Sequence, residues 1–129
     1  MKFLVVDDEH DVEALFRQKL RKEINSGLVE LVFAFSAQEA LDIVKSKNPP
    51  DVVYIFSDIN MPGMTGIQLL EKVKIEFPNI QVSVISAYGD SDSQNSALKS
   101  GAKRFFAKPI DFDLVREEIK KVMLEMEPS

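Results

Sequence analysis

The sequence predicts an α/β fold: a doubly wound, parallel five-stranded sheet with helices on both faces, a three-layer sandwich. Three observations carry that expectation. Short runs rich in Val, Ile and Phe, as in strands buried on both faces, alternate with segments whose apolar residues recur every three or four positions. Five such strand–helix units follow in order, which implies parallel crossovers. Four of the runs also stop at polar residues that can do chemistry. Phe3-Leu4-Val5-Val6 stops at Asp7-Asp8, and Val52-Val53-Tyr54-Ile55-Phe56 stops, after Ser57, at Asp58. Val82-Ser83-Val84-Ile85 stops at Ser86, and Phe105-Phe106-Ala107 stops at Lys108-Pro109.

The elements follow from local signals. After the first strand, Val12, Leu15, Phe16, Leu20 and Ile24 mark one helix and Leu28 to Phe35 a second strand. Ser36-Ala37-Gln38-Glu39 has capping-box spacing, opening a helix with Ala40, Leu41 and Val44 inward that ends at Asn48-Pro49-Pro50. The third strand ends at Asp58, and Met61 to Gly66 is a turn-rich loop. Leu69, Leu70, Val73 and Phe77 define a third helix, stopped before Pro78. The fourth strand ends at Ser86. Ser91 to Ser100 offers only Ala97 and Leu98 as apolar residues among mediocre helix formers, so a helix there is loosely held. A fifth strand spans Lys103 to Ala107, and Asp111 caps a last helix with Val115, Ile119, Val122 and Met126 on one face. Residues 1–126 form one domain, and 127–129 are a tail or the start of a linker.

Composition narrows the function. The 129 residues suffice for one domain with a real core, and 45% hydrophobic with 29% charged residues is typical of a globular protein. No apolar run approaches the ~18 residues of a membrane span, and the first strand leaves no room for a signal peptide. The chain has no cysteine, which excludes disulfides and thiolate metal sites, and a cytoplasmic location is expected. A net charge of −5 argues against nucleic-acid binding by this domain.

In an open parallel sheet, ligands bind beyond the carboxyl ends of the strands, so Asp7, Asp8, Asp58, Ser86 and Lys108 should share one cleft. Three carboxylates there repel one another and raise at least one pKa unless a cation intervenes. Mg²⁺ answers that need through one or two carboxylates and retained waters, with Asp8 and Asp58 as direct ligands and Asp7 close by or acting through water. Taken singly, Asp7-Asp8 could end a strand and cap a helix, Lys108 could be a solvated surface charge, and Ser86 could bond to backbone. Together, a carboxylate nucleophile, Mg²⁺, a lysine and a hydroxyl suit phosphoryl transfer to Asp. No side chain stands out as a base, and a carboxylate nucleophile needs none. Lys108-Pro109 is a candidate cis peptide.

Four motifs make the chain resemble a response-regulator receiver domain of a two-component phosphorelay. They are Val5-Val6-Asp7-Asp8-Glu9, the stretch Asp58-Ile59-Asn60-Met61-Pro62-Gly63-Met64-Thr65-Gly66, Ser86-Ala87 and Lys108-Pro109, in order and at the family's spacing. The resemblance covers residues 2 to 125 and implies a CheY-like, flavodoxin-like fold with strand order 2-1-3-4-5. It implies Asp58 as phosphoacceptor, Asp7 and Asp8 as the metal-binding pair, and the Asn60 carbonyl as a further ligand of Mg²⁺. Ser86 and Lys108 would bind the phosphoryl group, and Asn60 and Tyr88 would tune its lifetime. The switch aromatic is Phe105, where many receivers have Tyr, so packing alone must stabilise any inward rotamer. The implied partners are a histidine kinase or histidine phosphotransfer protein, and an output domain or target protein at the face formed by Ser91 to Met126. A phosphorylation-dependent dimer is allowed too. Such a domain is no enzyme beyond promoting its own phosphorylation and dephosphorylation.

Two other readings compete. A phosphatase of the haloacid-dehalogenase type also uses Asp, Mg²⁺ and Lys, but needs Asp-x-Asp after its first strand, where this chain has Asp7-Asp8-Glu9. A phosphorylation-independent interaction module on the same fold would not require the full set of Asp58, Ser86 and Lys108.

Overall fold

A computed structural model describes residues 1–48, 50–87, 89 and 91–126. The strands are β1 (Lys2–Val6), β2 (Glu30–Ala34), β3 (Val52–Asp58), β4 (Gln81–Ser86) and β5 (Phe105–Ala107). The helices are α1 (Asp11–Lys19), α2 (Arg21–Asn25), α3 (Ala37–Lys45), α4 (Gly66–Glu76), α5 (Ser91–Lys99) and α6 (Phe112–Glu125). All strand pairs are parallel, in the order β2-β1-β3-β4-β5. This is the flavodoxin-like arrangement expected from the sequence. Because strand side chains alternate between faces, the sheet divides the core in two. Leu4, Val6, Ile55, Val82 and Val84 pack against α3, α4 and α5. Phe3, Val5, Tyr54, Phe56, Ile85 and Phe106 pack against α1 and α6. The second layer is largely aromatic: Phe16 meets Phe112 edge-on at 5.0 Å, and Phe56 meets Phe106 at 5.8 Å.

Several local expectations need correction. The single helix expected from Val12 to Ile24 is broken at Leu20, whose backbone departs from helical geometry (φ −105°, ψ 20°). Arg116 of α6 explains the break. Its Nη2 donates 2.7 Å to the Lys19 carbonyl, an acceptor that a continuous helix would keep for itself. Leu15, placed on the inner face by periodicity, is 38% exposed, and Met126, likewise expected inward, is 50% exposed just past the end of α6. The second strand starts at Glu30 rather than Leu28. The third α-helix closes at Lys45, short of Asn48, because the Ser46 N–H and hydroxyl both turn back to the Ile43 carbonyl. The fifth strand is shorter than expected, although Lys103 N–H already donates to Val82 O at 2.7 Å. Pro49, Tyr88, Asp90 and residues 127–129 lie outside the described residues.

The capping signals also sorted differently. Ser36 accepts from Glu39 N–H as expected, but the Glu39 carboxylate reaches the Phe35 N–H, one residue before the cap. A complete reciprocal box forms instead between Thr65, inside the stretch read as turn, and Gln68 just beyond it, and it fixes the start of α4 behind the loop that follows β3. Thr65→Ala should therefore lower stability by about 1 kcal/mol, read as a reduced midpoint in urea unfolding at unchanged slope.

Candidate functional site

The site is built by strand ends. Pairing of Val6 with Ser57 sets Asp7 beside Asp58, and pairing of Ser86 with Ala107 sets Lys108 across from both. Lys108 N–H donates 2.9 Å to Ser86 O, extending the β4–β5 ladder by one residue and aiming the lysine side chain over the sheet edge. Its Nζ lies 3.4 Å from Asp7 Oδ2 and 3.6 Å from Asp58 Oδ2. The Lys108-Pro109 bond is cis, as the sequence suggested.

The three aspartates have distinct surroundings. Asp7 is buried, and its Oδ1 accepts from Glu9 N–H at 2.9 Å while Oδ2 faces Lys108. Asp8 is the most exposed of the three, and Asp58 is buried at the end of β3. Carboxylate oxygens of Asp7, Asp8 and Asp58 all lie within 4.8 Å of one another. Oxygen ligands around one hard cation at ~2.0–2.1 Å stand up to about 4 Å apart, so small side-chain rotations would let this donor set hold a metal ion. Burial pushes the Asp58 carboxyl up to about 6, the nearby Asp7 adds to the rise, and Lys108 and the Asn60 N–H oppose it. The expected repulsion is thus present, with burial as the larger cause. For Lys108, burial acts to lower the ammonium pKa, but Asp58 and Asp7 outweigh it and the net shift is upward. Lysine stays charged, and the Asp58 carboxylate lacks a full counter-charge.

Other expected residues surround this centre. Ser86 and Asn60 line a cavity of about 360 Å³ with Ile59, Ile67, Asp92, Ser93 and Ser96, beside the loop that follows Asp58. Phe105 is half-buried and packs on the α3–α5 side of the sheet. Tyr88, expected to tune phosphate lifetime, lies outside the described residues.

One residue in direct contact with the Asp58 backbone was read only as the end of a turn and part of a family motif. A Cβ on Gly66 would sit 2.1 Å from the Asp58 carbonyl oxygen and 2.8 Å from Ile59 Cα. Gly66 N–H donates 2.9 Å to Ile59 O. Only a residue without a side chain lets the first turn of α4 press onto the Asp58 backbone. Periodicity cannot show such a contact, because it lies between backbone atoms.

Two outcomes follow from this geometry. Gly66→Ala should cost about 2 kcal/mol or more, since the clash is with backbone that cannot step aside, and nuclear magnetic resonance should place the largest amide shifts at Asp58 to Asn60. The second concerns pH. The folded Asp58 pKa of about 6 exceeds its ordinary value of 3.8. The linked stability is therefore fully present below the unfolded value and is lost as pH rises through the folded one. In metal-free buffer, Asp58→Asn should gain on the wild type from about pH 4 to about pH 7, by on the order of 1–2 kcal/mol. Equal pH profiles in chemical denaturation would contradict the buried acid.

Comparison with known proteins agrees with this geometry. A family model described as response regulator receiver domain matches residues 3–120. The chain is 36% identical over 122 residues to sporulation initiation phosphotransferase F of Bacillus subtilis (strain 168), covering 95% of this chain and 93% of that protein. It is 34% identical over 128 residues to the DNA-binding transcriptional regulator NtrC of Escherichia coli (strain K12), covering 96% of this chain but only 26% of that protein. The structure superposes on the Francisella response regulator 1452 receiver domain with a TM-score of 0.84 at 25% identity, over 98% of both chains. No helix among the described residues is long and apolar enough to cross a membrane. With five strands ordered 2-1-3-4-5 and the acidic cluster at their carboxyl ends, the chain belongs to the response regulator receiver domain family of two-component signalling.

Proposed function

We propose that Asp58 accepts a phosphoryl group from a phosphohistidine of a histidine kinase or histidine phosphotransfer protein. The observation that carries this reading is the state of Asp58: buried at a strand end, raised to about 6, and 3.6 Å from Lys108. An Asp58 oxygen forms the new bond to phosphorus as the bond to the histidine nitrogen breaks, and that nitrogen keeps the electron pair and takes up a proton. Lys108 moves from sharing two carboxylates to binding a phosphoryl oxygen, and Ser86 supplies a hydroxyl from the adjacent strand end. Asp7 and Asp8 would hold Mg²⁺, with Asp58 and the Asn60 carbonyl as further ligands. When bound, Mg²⁺ supplies charge neutralisation and Lewis acidity at the transferred oxygens. Asn60 and Tyr88 tune how long the group persists. The domain promotes only its own phosphorylation and dephosphorylation.

The added group carries about 1.5–2 negative charges. It favours the conformer in which Ser86, Lys108 and the Phe105 side chain are drawn toward it, shifting the population to that conformer. The output surface is the face formed by Ser91 to Met126, read by a target protein, by a fused output domain or by a second copy. A receiver-sized protein and a longer one both occur among the relatives: the chain spans 93% of the sporulation phosphotransferase but about a quarter of NtrC.

Incubation with acetyl phosphate and Mg²⁺ should add one phosphoryl group by mass spectrometry, and none in Asp58→Asn or with chelator present. An adduct that survives in Asp58→Asn would move the acceptor elsewhere.

A further inference from the structure

On the α1–α6 side of the sheet lies a buried polar cluster that the phosphoryl site does not use. Glu118 of α6 is only 1% exposed. Its Oε2 accepts a 2.6 Å hydrogen bond from the Tyr54 hydroxyl of β3 and lies 3.4 Å from Lys103 Nζ. Its Oε1 lies 3.9 Å from Arg104 Nη1, near enough for attraction but beyond a hydrogen bond. The Tyr54 hydroxyl also meets the Ser83 hydroxyl of β4, and Ser83 Oγ accepts from the Arg104 backbone N–H at 3.1 Å. The protons then have one arrangement. Arg104 N–H donates to Ser83, Ser83 donates to Tyr54, and Tyr54 donates to Glu118. Burial, followed by the hydrogen bond to Glu118, pushes the Tyr54 phenol well above its usual range, so it keeps the proton it donates. Lys103 carries the chain outward to Gln81 Oε1 at 2.8 Å and Glu125 Oε2 at 3.2 Å. The last helix is thus pinned at Glu118 and again at Glu125, seven residues further on.

The neighbouring α5 is held quite differently. Ala97 is its single buried residue. Its Asp92, Ser93 and Ser96 border the cavity of about 360 Å³ that also touches Ser86. One helix of the output face therefore adjoins open space at the phosphoryl site, while the other is tied to three strands.

We propose that the Tyr54–Ser83–Glu118 cluster is a polar clamp that fixes α6 and the entry to β5 against β3, so that α6 stays in place when the site switches. This rests on the phosphoryl-switch reading above. The physical basis is the cost of the alternative. If α6 shifted, a buried carboxylate would lose its hydrogen bond and both nearby cations at once, and such uncompensated charges are strongly destabilising. If α5 shifted, little apolar contact would be lost. Tyr54 and Glu118 act here as positioning residues, since neither touches the reacting atoms.

Amide hydrogen exchange with and without beryllofluoride and Mg²⁺ tests the clamp in wild type, Glu118→Gln and Tyr54→Phe. In wild type, exchange across 91–99 should change by roughly tenfold or more and across 112–125 by less than about twofold. In the variants, 112–125 should join the beryllofluoride response, a difference that a merely structural loss of stability would not produce. A wild-type response of equal size in both helices overturns the clamp, as does a folded variant whose last helix stays silent. Should a variant fail to fold, the wild-type comparison still decides. No response at Ala87 or in α5 would overturn the phosphoryl-switch reading itself, and the clamp with it.

Discussion

The Lys108 ammonium stands between Asp7 and Asp58, 3.4 Å from one and 3.6 Å from the other, and the rest of the site depends on that placement. A parallel sheet puts every strand's carboxyl end on one edge, so three acids from two adjacent strands collect where water is partly excluded. One lysine cannot neutralise three carboxylates. Burial, with Asp7 nearby, holds Asp58 up to about 6, and the uncompensated charge is the electrostatic demand that a divalent cation would meet. The lysine reaches this point because the β4–β5 ladder continues one residue past the short β5, through Lys108 N–H to Ser86 O. Charge balance in the cleft is therefore a consequence of strand register.

Rigidity is distributed unevenly around that cleft. Beneath Asp58, α4 is pressed against the Asp58 carbonyl through Gly66 and started by the Thr65–Gln68 box, so the loop from Ile59 has little freedom. On the other face, the aromatic layer and Glu118 hold α6 against β3 and β4. Between these firm supports, α5 has one buried residue and a cavity at its side. Buried contacts thus divide the domain into firm supports and one lightly held helix.

The sequence showed the strands and their reactive ends because hydrophobic run length and the residue after each run are local properties. It also showed that Ser91 to Lys99 would be weakly held, since apolar residues are scarce there. It misread features set by distant partners. The kink at Leu20 arises from Arg116, 97 positions away from the carbonyl it captures. Leu15 and Met126 fit the helical period, yet they stay 38% and 50% exposed. Glu118 gave a readable signal that periodicity discounts: it lies three residues after Val115 and four before Val122, on the buried stripe of α6.

By itself, then, the sequence determined the fold class, the order of strand and helix units and the residues at the strand ends, because periodicity and strand-terminal chemistry are written locally. Motif spacing added the family and its strand order. Only the tertiary structure decided which carboxylate is raised and by what cause, how Lys108 divides itself between Asp7 and Asp58, and why position 66 admits no side chain. It alone joined Tyr54, Ser83 and Glu118, whose contact spans 64 positions of chain between Tyr54 and Glu118. These outcomes depend on burial and on distances between strands, and both exist only once the sheet has closed its two layers of core.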